Sequence, residues 1–190
     1  MESVEQMELP KNINYSKYCG NGGMSSKHFG PALWNYLFIS ILGRYPTKID
    51  KNNKEHMEIA KSYYQTIINL VHTLPCIFCR NSFKQFLTEL PINSYLRGRI
   101  ELVYWLYLMK DKVNKKLIKQ EQALYDTEKA KLKQLHDDKK INLTTYNKRL
   151  EKAKKKIFVT IPSPPFKKVL DRYEQYRAKC VAQTQKCSLK

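Results

Sequence analysis

The chain has 190 residues, of which 42% are hydrophobic and only six are glycine, so it can bury a substantial core and is neither disordered nor of low complexity. Lysine and arginine number 35 against 17 aspartates and glutamates, and a net charge of +18 would attract nucleic acid, an anionic membrane or an acidic protein. No uncharged apolar run approaches the roughly 20 residues that span a bilayer, and no secretory signal is recognisable, so we expect a cytoplasmic protein without a membrane span.

The N-terminal part of the chain is predicted to be an arm followed by a helix. Residues 1–26 contain Cys19, several glycines and many small polar residues, which favours a flexible arm. Order is expected to begin near Phe29, with Pro31 in the first turn of a helix. The apolar residues that follow recur at helical spacing; they are Leu33, Trp34, Leu37, Phe38 and Ile41.

Three further helices are predicted in the middle of the chain. An apolar stripe at helical spacing runs from Met57 to Leu74 and predicts the second helix. Pro75 interrupts this stripe and opens a third helix, which places Cys76 and Cys79 in the first turn with their side chains facing inward. The fourth helix is predicted over 98–117, where the chain is apolar on almost every side and must be covered all round.

Residues 118–159 form a basic insertion in which apolar residues alternate at spacings of three and four, which predicts a helical hairpin turning near 137–142. Its charge indicates a solvated helical face or, alternatively, a nucleic-acid contact. A proline-rich break then precedes a last amphipathic helix from Phe166 to near Cys180, and 181–190 is predicted to be a C-terminal tail. The chain shows no strand alternation, so the predicted fold class is all-α.

Among the five cysteines, only Cys76 and Cys79 form a close pair. Residues three apart on a helix have Cα atoms about 5–6 Å apart, which lies within the range that a disulfide tolerates. The partial positive charge of a helix N-terminus lowers the pKa of a thiol there and so favours the thiolate, which is the attacking form. The spacing therefore favours redox chemistry.

The CxxC motif at Cys76 and Cys79 has three other interpretations. A zinc site needs about four ligands, and neither a second CxxC nor an HxxxH motif completes one, so no metal is predicted. A thioredoxin-like site would follow a strand within a βαβ pattern, whereas an amphipathic helix precedes Cys76. Two inert cysteines buried on one helix face are the simplest alternative.

Four segments in order carry a resemblance to a known family: FGPALW at 29–34, LPCIFCR at 74–80, Trp105 with Val113, Asn114 and Leu117, and the segment 165–173. The chain resembles the Erv/ALR family of FAD-linked sulfhydryl oxidases over about residues 27–117 and 160–180, which would form the FAD-binding core. The resemblance implies a four-helix bundle with a short fifth helix, FAD lying against the CxxC, and usually a homodimer. Such compact cores are similar to the versions encoded by large cytoplasmic DNA viruses, which would place the protein in the host cytoplasm or the virion.

The resemblance implies that thiols of protein substrates are oxidised to disulfides while O₂ is reduced to H₂O₂, with electrons passing through the Cys76–Cys79 disulfide to FAD. It implies that Cys76 takes the incoming thiolate and that Cys79 lies next to the flavin. The flavin contacts that it implies are Gly30, Trp34 and Phe38 on one side, and Trp105, Lys110, Val113, Asn114 and Leu117 on the other side and at the adenine end.

Three positions depart from the family pattern: Phe38 and Lys110 stand where histidine is usual, and Asp111 stands where asparagine is usual. Altered affinity for FAD is expected, because phenylalanine can pack on a ring and lysine can meet a phosphate. The same departures support a second hypothesis, a catalytically degenerate helical module that binds nucleic acid or a protein partner through its basic insertion.

The remaining cysteines, Cys19, Cys180 and Cys187, are candidates for an electron relay. Family members often carry a second, mobile cysteine pair near a terminus, which passes electrons from bulky substrates to the CxxC. Six residues separate Cys180 from Cys187, and a loop of this size costs little to close into a disulfide. The alternative is that these cysteines are free thiols without a function in a reducing cytoplasm.

Overall fold

The computed structural model describes residues 10, 13–18, 20, 23–181 and 186–189. Within these ranges the chain forms seven α-helices: α1 (Ser26–Arg44), α2 (Lys54–Ile68), α3 (Leu70–Thr73), α4 (Ile77–Glu89), α5 (Arg99–Asp137), α6 (Leu143–Ile157) and α7 (Phe166–Glu174). Short 3-10 helices lie at Tyr15–Tyr18 and Asn93–Tyr95. The predicted all-α fold is confirmed.

Polar side chains cap three of the helices. The Ser25 hydroxyl accepts the backbone N–H of Lys27, so α1 begins at Ser26, three residues before the predicted start. The Asn53 side chain accepts a backbone N–H at the start of α2, and the Asn142 side chain does so for α6. These caps satisfy N–H groups that a helix leaves without partners.

The bundle is built from α1, α2 with α3, α4 and the first half of α5, with α7 packed against α1. Trp105 of α5 is fully buried, and its indole N–H donates to the Leu90 carbonyl at 3.0 Å. Other fully buried side chains surround it; they include Phe38, Ile41, Ile67, Leu102, Leu106 and Met109. The segment that is apolar on every side is therefore the central helix of the bundle, as its composition predicts.

α5 continues for 39 residues, about 58 Å, because it contains neither proline nor glycine. Its second half leaves the bundle and pairs antiparallel with α6, which confirms the predicted helical hairpin. The turn at 138–142 holds Lys139 in the left-handed region, with φ of 58°. Among the described residues, none of the helices combines the length and the hydrophobicity that a bilayer span requires.

The segment between α6 and α7 follows α5 back towards the bundle. Thr160 donates its backbone N–H and its hydroxyl to Glu121, at 3.0 and 2.6 Å. Asn114 donates to the Ser163 hydroxyl at 3.0 Å, and Tyr107 donates to the Pro164 carbonyl at 3.0 Å. These hydrogen bonds direct the chain to where α7 contacts α1.

The last helix ends at Glu174, so the prediction that it extends to near Cys180 is wrong. Two short antiparallel strands follow, β1 (Ala178–Val181) and β2 (Lys186–Leu189), although the sequence showed no strand pattern. The backbone N–H and C=O groups of each strand find hydrogen-bond partners in the other strand. The side-chain pattern of either segment alone does not reveal this pairing.

Tyr173 fastens α7 to α1, and its replacement should measurably destabilise the protein. Its ring stacks on Phe38 at 4.8 Å, and its hydroxyl donates to Asn35 at 2.8 Å. Tyr173→Phe keeps the stack and loses the hydrogen bond, so we expect the free energy of unfolding to fall by about 1 kcal/mol. Urea unfolding followed by circular dichroism measures the change. Tyr176→Phe, at a side chain that is 48% exposed, is the control and should change little; equal losses in both variants would contradict this role.

Candidate active site

The two close cysteines lie where the chain enters α4. Cys76 is the N-cap residue with an extended backbone, and its Sγ accepts the backbone N–H of Cys79 at 3.3 Å. α4 begins at Ile77, so Cys79 lies in the first turn and Cys76 immediately precedes it. Both cysteines are partly buried free thiols.

The two thiols have opposite shifts in pKa. Burial raises the pKa of Cys76, but hydrogen bonds from the Cys79 side chain and from the N–H groups of Cys79 and Phe78, with the charge of Arg80, bring it below its usual value. The pKa of Cys79 is raised to about 11 by burial, by its hydrogen bond to Cys76 and by the negative charge on Cys76. When one proton is lost from the dithiol, the negative charge therefore resides mainly on Cys76.

Two cations lie beside the thiols. An Nη atom of Arg80 donates to the Leu74 carbonyl at 2.5 Å, and Nζ of Lys116 donates to the Ser82 hydroxyl. The positive charges of Lys116 and Arg80 each favour the thiolate of Cys79 and partly offset its raised pKa. Lys116 was not predicted as a site residue, because its approach to α4 depends on how α5 crosses that helix.

Part of the predicted arm lies directly on the redox motif. The backbone N–H of Met24 donates to the Pro75 carbonyl at 3.0 Å. A Cβ added to Gly23 would lie 2.1 Å from the Pro75 oxygen and 3.4 Å from the Cys76 Cα. Only glycine permits so close an approach without displacement of the backbone. The flexibility of the arm stays a prediction, but Gly23 and Met24 lie against the motif in this structure.

A cavity of about 370 Å³ lies beside the cysteines, between α1, α3, α4 and α5. Its volume falls within the roughly 300–1,000 Å³ typical of small-molecule sites. Most of its lining is apolar or aromatic and includes Phe29, Leu33, Trp34, Phe78, Phe83, Phe86 and Trp105. Four polar side chains, Ser26, Ser82, Lys116 and Gln120, also line the cavity. An aromatic ligand with some polar or anionic groups matches this lining.

The structure brings together most of the residues predicted for the site. Both cysteines line the cavity, as do Gly30, Trp34, Trp105, Val113 and Leu117. These residues come from three helices, and they meet because the cavity-facing stripes of α1 and α5 converge on the start of α4. Whether they contact a cofactor stays a prediction.

Three predicted residues do not line the cavity. Phe38 is buried and stacks on Tyr173, while Asn114 has its partner in Ser163 on the segment before α7. Burial lowers the pKa of Lys110, and the nearby charge of Arg172 lowers it further. The flavin contacts proposed for Phe38, Lys110 and Asn114 therefore stay predictions.

Sequence reasoning missed several lining residues. Phe83 and Phe86 lie four and seven residues after Cys79, on the same face of α4, so the helical spacing contained a signal for them. Lys116 and Gln120 lie in a charged stretch of α5, where no spacing pattern connected them with the cysteines.

The lining of the cavity suits a flavin in its chemistry. Trp34, which is partly exposed, offers aromatic surface for a planar ring system, while the buried Trp105 forms part of the wall behind it. Lys116 offers a cation for an anionic group. A Cβ added to Gly30 would meet no protein atom within 4 Å, so the wall leaves room for a ligand at that point.

Comparisons with known proteins agree with this geometry. The sequence pattern of the Erv1 / Alr family matches residues 31–136, which include the cysteine pair and most of the cavity. The FAD-linked sulfhydryl oxidase of African swine fever virus, isolate Pig/Kenya/KEN-50/1950, is 31% identical over 94 residues, covering 48% of this chain and 70% of the relative. The protein of the same description from isolate Tick/Malawi/Lil 20-1/1983 is 29% identical over 92 residues, with the same coverage.

The opposite pKa shifts predict different alkylation profiles for the two thiols of the fully reduced protein. The thiolate is the reactive form, so labelling by iodoacetamide should rise with pH through each pKa. For Cys76 the midpoint should lie below the usual pKa of cysteine, and for Cys79 it should lie near 11. Cys76→Ala should lower the midpoint of Cys79, because the hydrogen bond and the negative charge that raise its pKa are both removed. Peptide mass spectrometry measures each rate, and a lower midpoint for Cys79 than for Cys76 would contradict the assignment.

Proposed function

Because the chain belongs to the Erv1/Alr family, we propose that it oxidises the thiols of protein substrates through the Cys76–Cys79 pair and FAD. The coarser statement, that the protein is an FAD-linked sulfhydryl oxidase, rests on the family and on the viral relatives. The finer proposal rests chiefly on one observation, a pair of thiols with opposite pKa shifts in the wall of an aromatic cavity.

FAD would occupy the cavity beside the cysteines. Trp34 would pack against its ring system with Trp105 in the wall of the cavity, the open wall at Gly30 would admit it, and Lys116 would face an anionic part of it. When bound, FAD supplies the capacity to accept an electron pair from a dithiol and to reduce O₂ to H₂O₂. The balanced reaction is the oxidation of two thiols by one O₂ to one disulfide and one H₂O₂.

Electrons would enter at Cys76. A substrate thiolate attacks Sγ of Cys76 in the Cys76–Cys79 disulfide; a mixed disulfide forms and Cys79 leaves as a thiolate. A second substrate thiolate then attacks the substrate sulfur of the mixed disulfide, which releases the oxidised substrate and the Cys76 thiolate. The lowered pKa of Cys76 makes it the better leaving group in this second step.

The surroundings of Cys79 suit its departure in the first step. Two causes of its raised pKa, a hydrogen bond to Cys76 and the negative charge on Cys76, depend on a free Cys76 thiolate. In the mixed disulfide that thiolate is absent, while the charges of Lys116 and Arg80 remain. Burial still disfavours a charged Cys79, but its thiolate is favoured more in the mixed disulfide than beside a free Cys76 thiolate, and it lies on the cavity wall where FAD would bind.

The C-terminal cysteines are proposed as a relay for bulky substrates. Cys180 and Cys187 are register partners in the β1–β2 pair. Directly paired residues of antiparallel strands have Cα atoms about 4.5–5.5 Å apart, which lies within the range of a disulfide. Cys19 lies outside the described residues. The predicted homodimer also stays a prediction.

The reaction is tested by substitution of each redox cysteine. Purified protein should be yellow and should consume O₂ with dithiothreitol. Cys76→Ser and Cys79→Ser should each lower this turnover at least about a hundredfold, because neither can form the disulfide that passes electrons on. Both variants should keep the flavin absorption spectrum, which is the control for folding and cofactor binding. A colourless folded protein that stays inactive with added FAD, and that binds DNA in a salt-dependent way, would favour the degenerate binding module instead.

The relay is tested with two substrates of different size. Cys180→Ser combined with Cys187→Ser should slow oxidation of a folded protein thiol several-fold, because a bulky substrate then has to reach Cys76 directly. Dithiothreitol turnover should change little, since a small reductant reaches Cys76 without help. Oxygen consumption measures both rates, and unchanged rates on both substrates would remove the tail pair from the mechanism.

A further inference from the structure

The α5–α6 hairpin carries a second cavity, of about 490 Å³, which shares no residue with the cavity beside the cysteines. We call it the hairpin groove. Its apolar lining includes Leu124 and Leu135 from α5 and Ala153 and Ile157 from α6. Leu124 is 61% exposed, so the apolar floor of the groove is accessible.

Cations surround this floor. Lys131 lines the groove from α5, and Arg149, Lys152 and Lys156 line it from α6 at spacings of three and four residues, so they share one helix face. All four side chains are exposed, and among the described residues none of them has a hydrogen bond or an ion pair. Glu128 is the one carboxylate among the residues that line the groove, and it forms no ion pair there.

We propose that the hairpin groove binds an acidic amphipathic helix of a partner protein. Two antiparallel helices leave a channel between them that a third helix can occupy, with its apolar residues on the floor. Carboxylates on the flanks of that helix would then meet the four unpaired cations. Arg149 and Lys156 are about 10.5 Å apart along the axis of α6, so acidic residues at helical spacing on the partner can match this row.

The chemistry of the groove favours this occupant over two others. A nucleic-acid backbone would meet the cations but would gain nothing from the apolar floor. A second copy of the same hairpin would bring the same cations and would be repelled. Exposed ion pairs contribute little each, so the apolar floor would supply most of the affinity and the cations would select an acidic partner.

The test uses the full chain and one defined probe, a fluorescein-labelled 18-residue peptide with leucines on one helical face and glutamates on both flanks. Fluorescence anisotropy measures its binding. The groove variant combines Arg149→Gln, Lys152→Gln and Lys156→Gln. The matched control combines Lys148→Gln, Lys154→Gln and Lys155→Gln, on the same helix but outside the lining of the groove. The two variants lose the same charge, so only a specific site separates them.

We expect the groove variant to bind the peptide at least about tenfold more weakly than the parent, and the control to change affinity by no more than about threefold. Leu124→Ser should also weaken binding about tenfold, since an exposed leucine contributes to the floor rather than to the fold. Equal losses in the two triple variants would show attraction to net charge alone and would overturn the proposal.

Two further outcomes would also overturn it. One is the absence of peptide binding. The other is tighter binding of a labelled 20-base-pair DNA duplex that Leu124→Ser leaves unchanged, which would identify a nucleic-acid surface. Dithiothreitol turnover should be the same in the parent and in all three variants, so failure of this proposal is distinguishable from failure of the oxidase.

Discussion

The organisation of the active site depends on the chain break at Pro75. Proline ends the preceding helical segment, and the extended backbone that follows places Cys76 at the N-cap of α4 rather than within a helix. From there its Sγ accepts the backbone N–H of Cys79, so one hydrogen bond caps the helix, holds the Cys76 thiol beside residue 79 and helps to lower the pKa of Cys76. The Pro75 carbonyl also accepts the N–H of Met24, so the same break anchors the segment that covers the motif.

α5 divides its length between two environments. Its first half is the centre of the bundle, where Trp105 and Val113 reach the cavity and the other faces contact neighbouring helices. Its second half pairs with α6 and with the segment that follows α6, and the dense run of basic side chains lies on α6, between Lys148 and Lys156. Because no proline or glycine interrupts the helix, Lys116 and Gln120, at the boundary, bring polar groups from the charged half to the cavity.

Two of the three expected departures from the family pattern lie against α7 rather than on the cavity wall. Phe38 stacks on Tyr173, and the pKa of Lys110 responds to Arg172. The third, Asp111, forms an ion pair with Lys115 on α5 at 2.7 Å. Asn114, which keeps the family residue, holds the segment that leads into α7. The long α5–α6 hairpin separates α7 from the bundle helices along the chain, and these contacts hold α7 and the segment before it against the bundle.

The sequence by itself determined the local features of this protein. Helical periodicity identified the bundle helices and the hairpin, Pro75 marked the start of α4, and spacing placed Trp34 and Trp105 on inward faces. Tertiary structure decided which distant residues contact one another. The side-chain amide of Asn114 donates to Ser163 and does not line the cavity, and Lys116 donates to Ser82. Only a glycine at position 23 can lie so close to Pro75. The sequence periodicity likewise did not predict the β1–β2 pair. A helical repeat is a property of a few neighbouring residues, whereas these contacts join segments that are distant in the chain, and no local pattern encodes the partner.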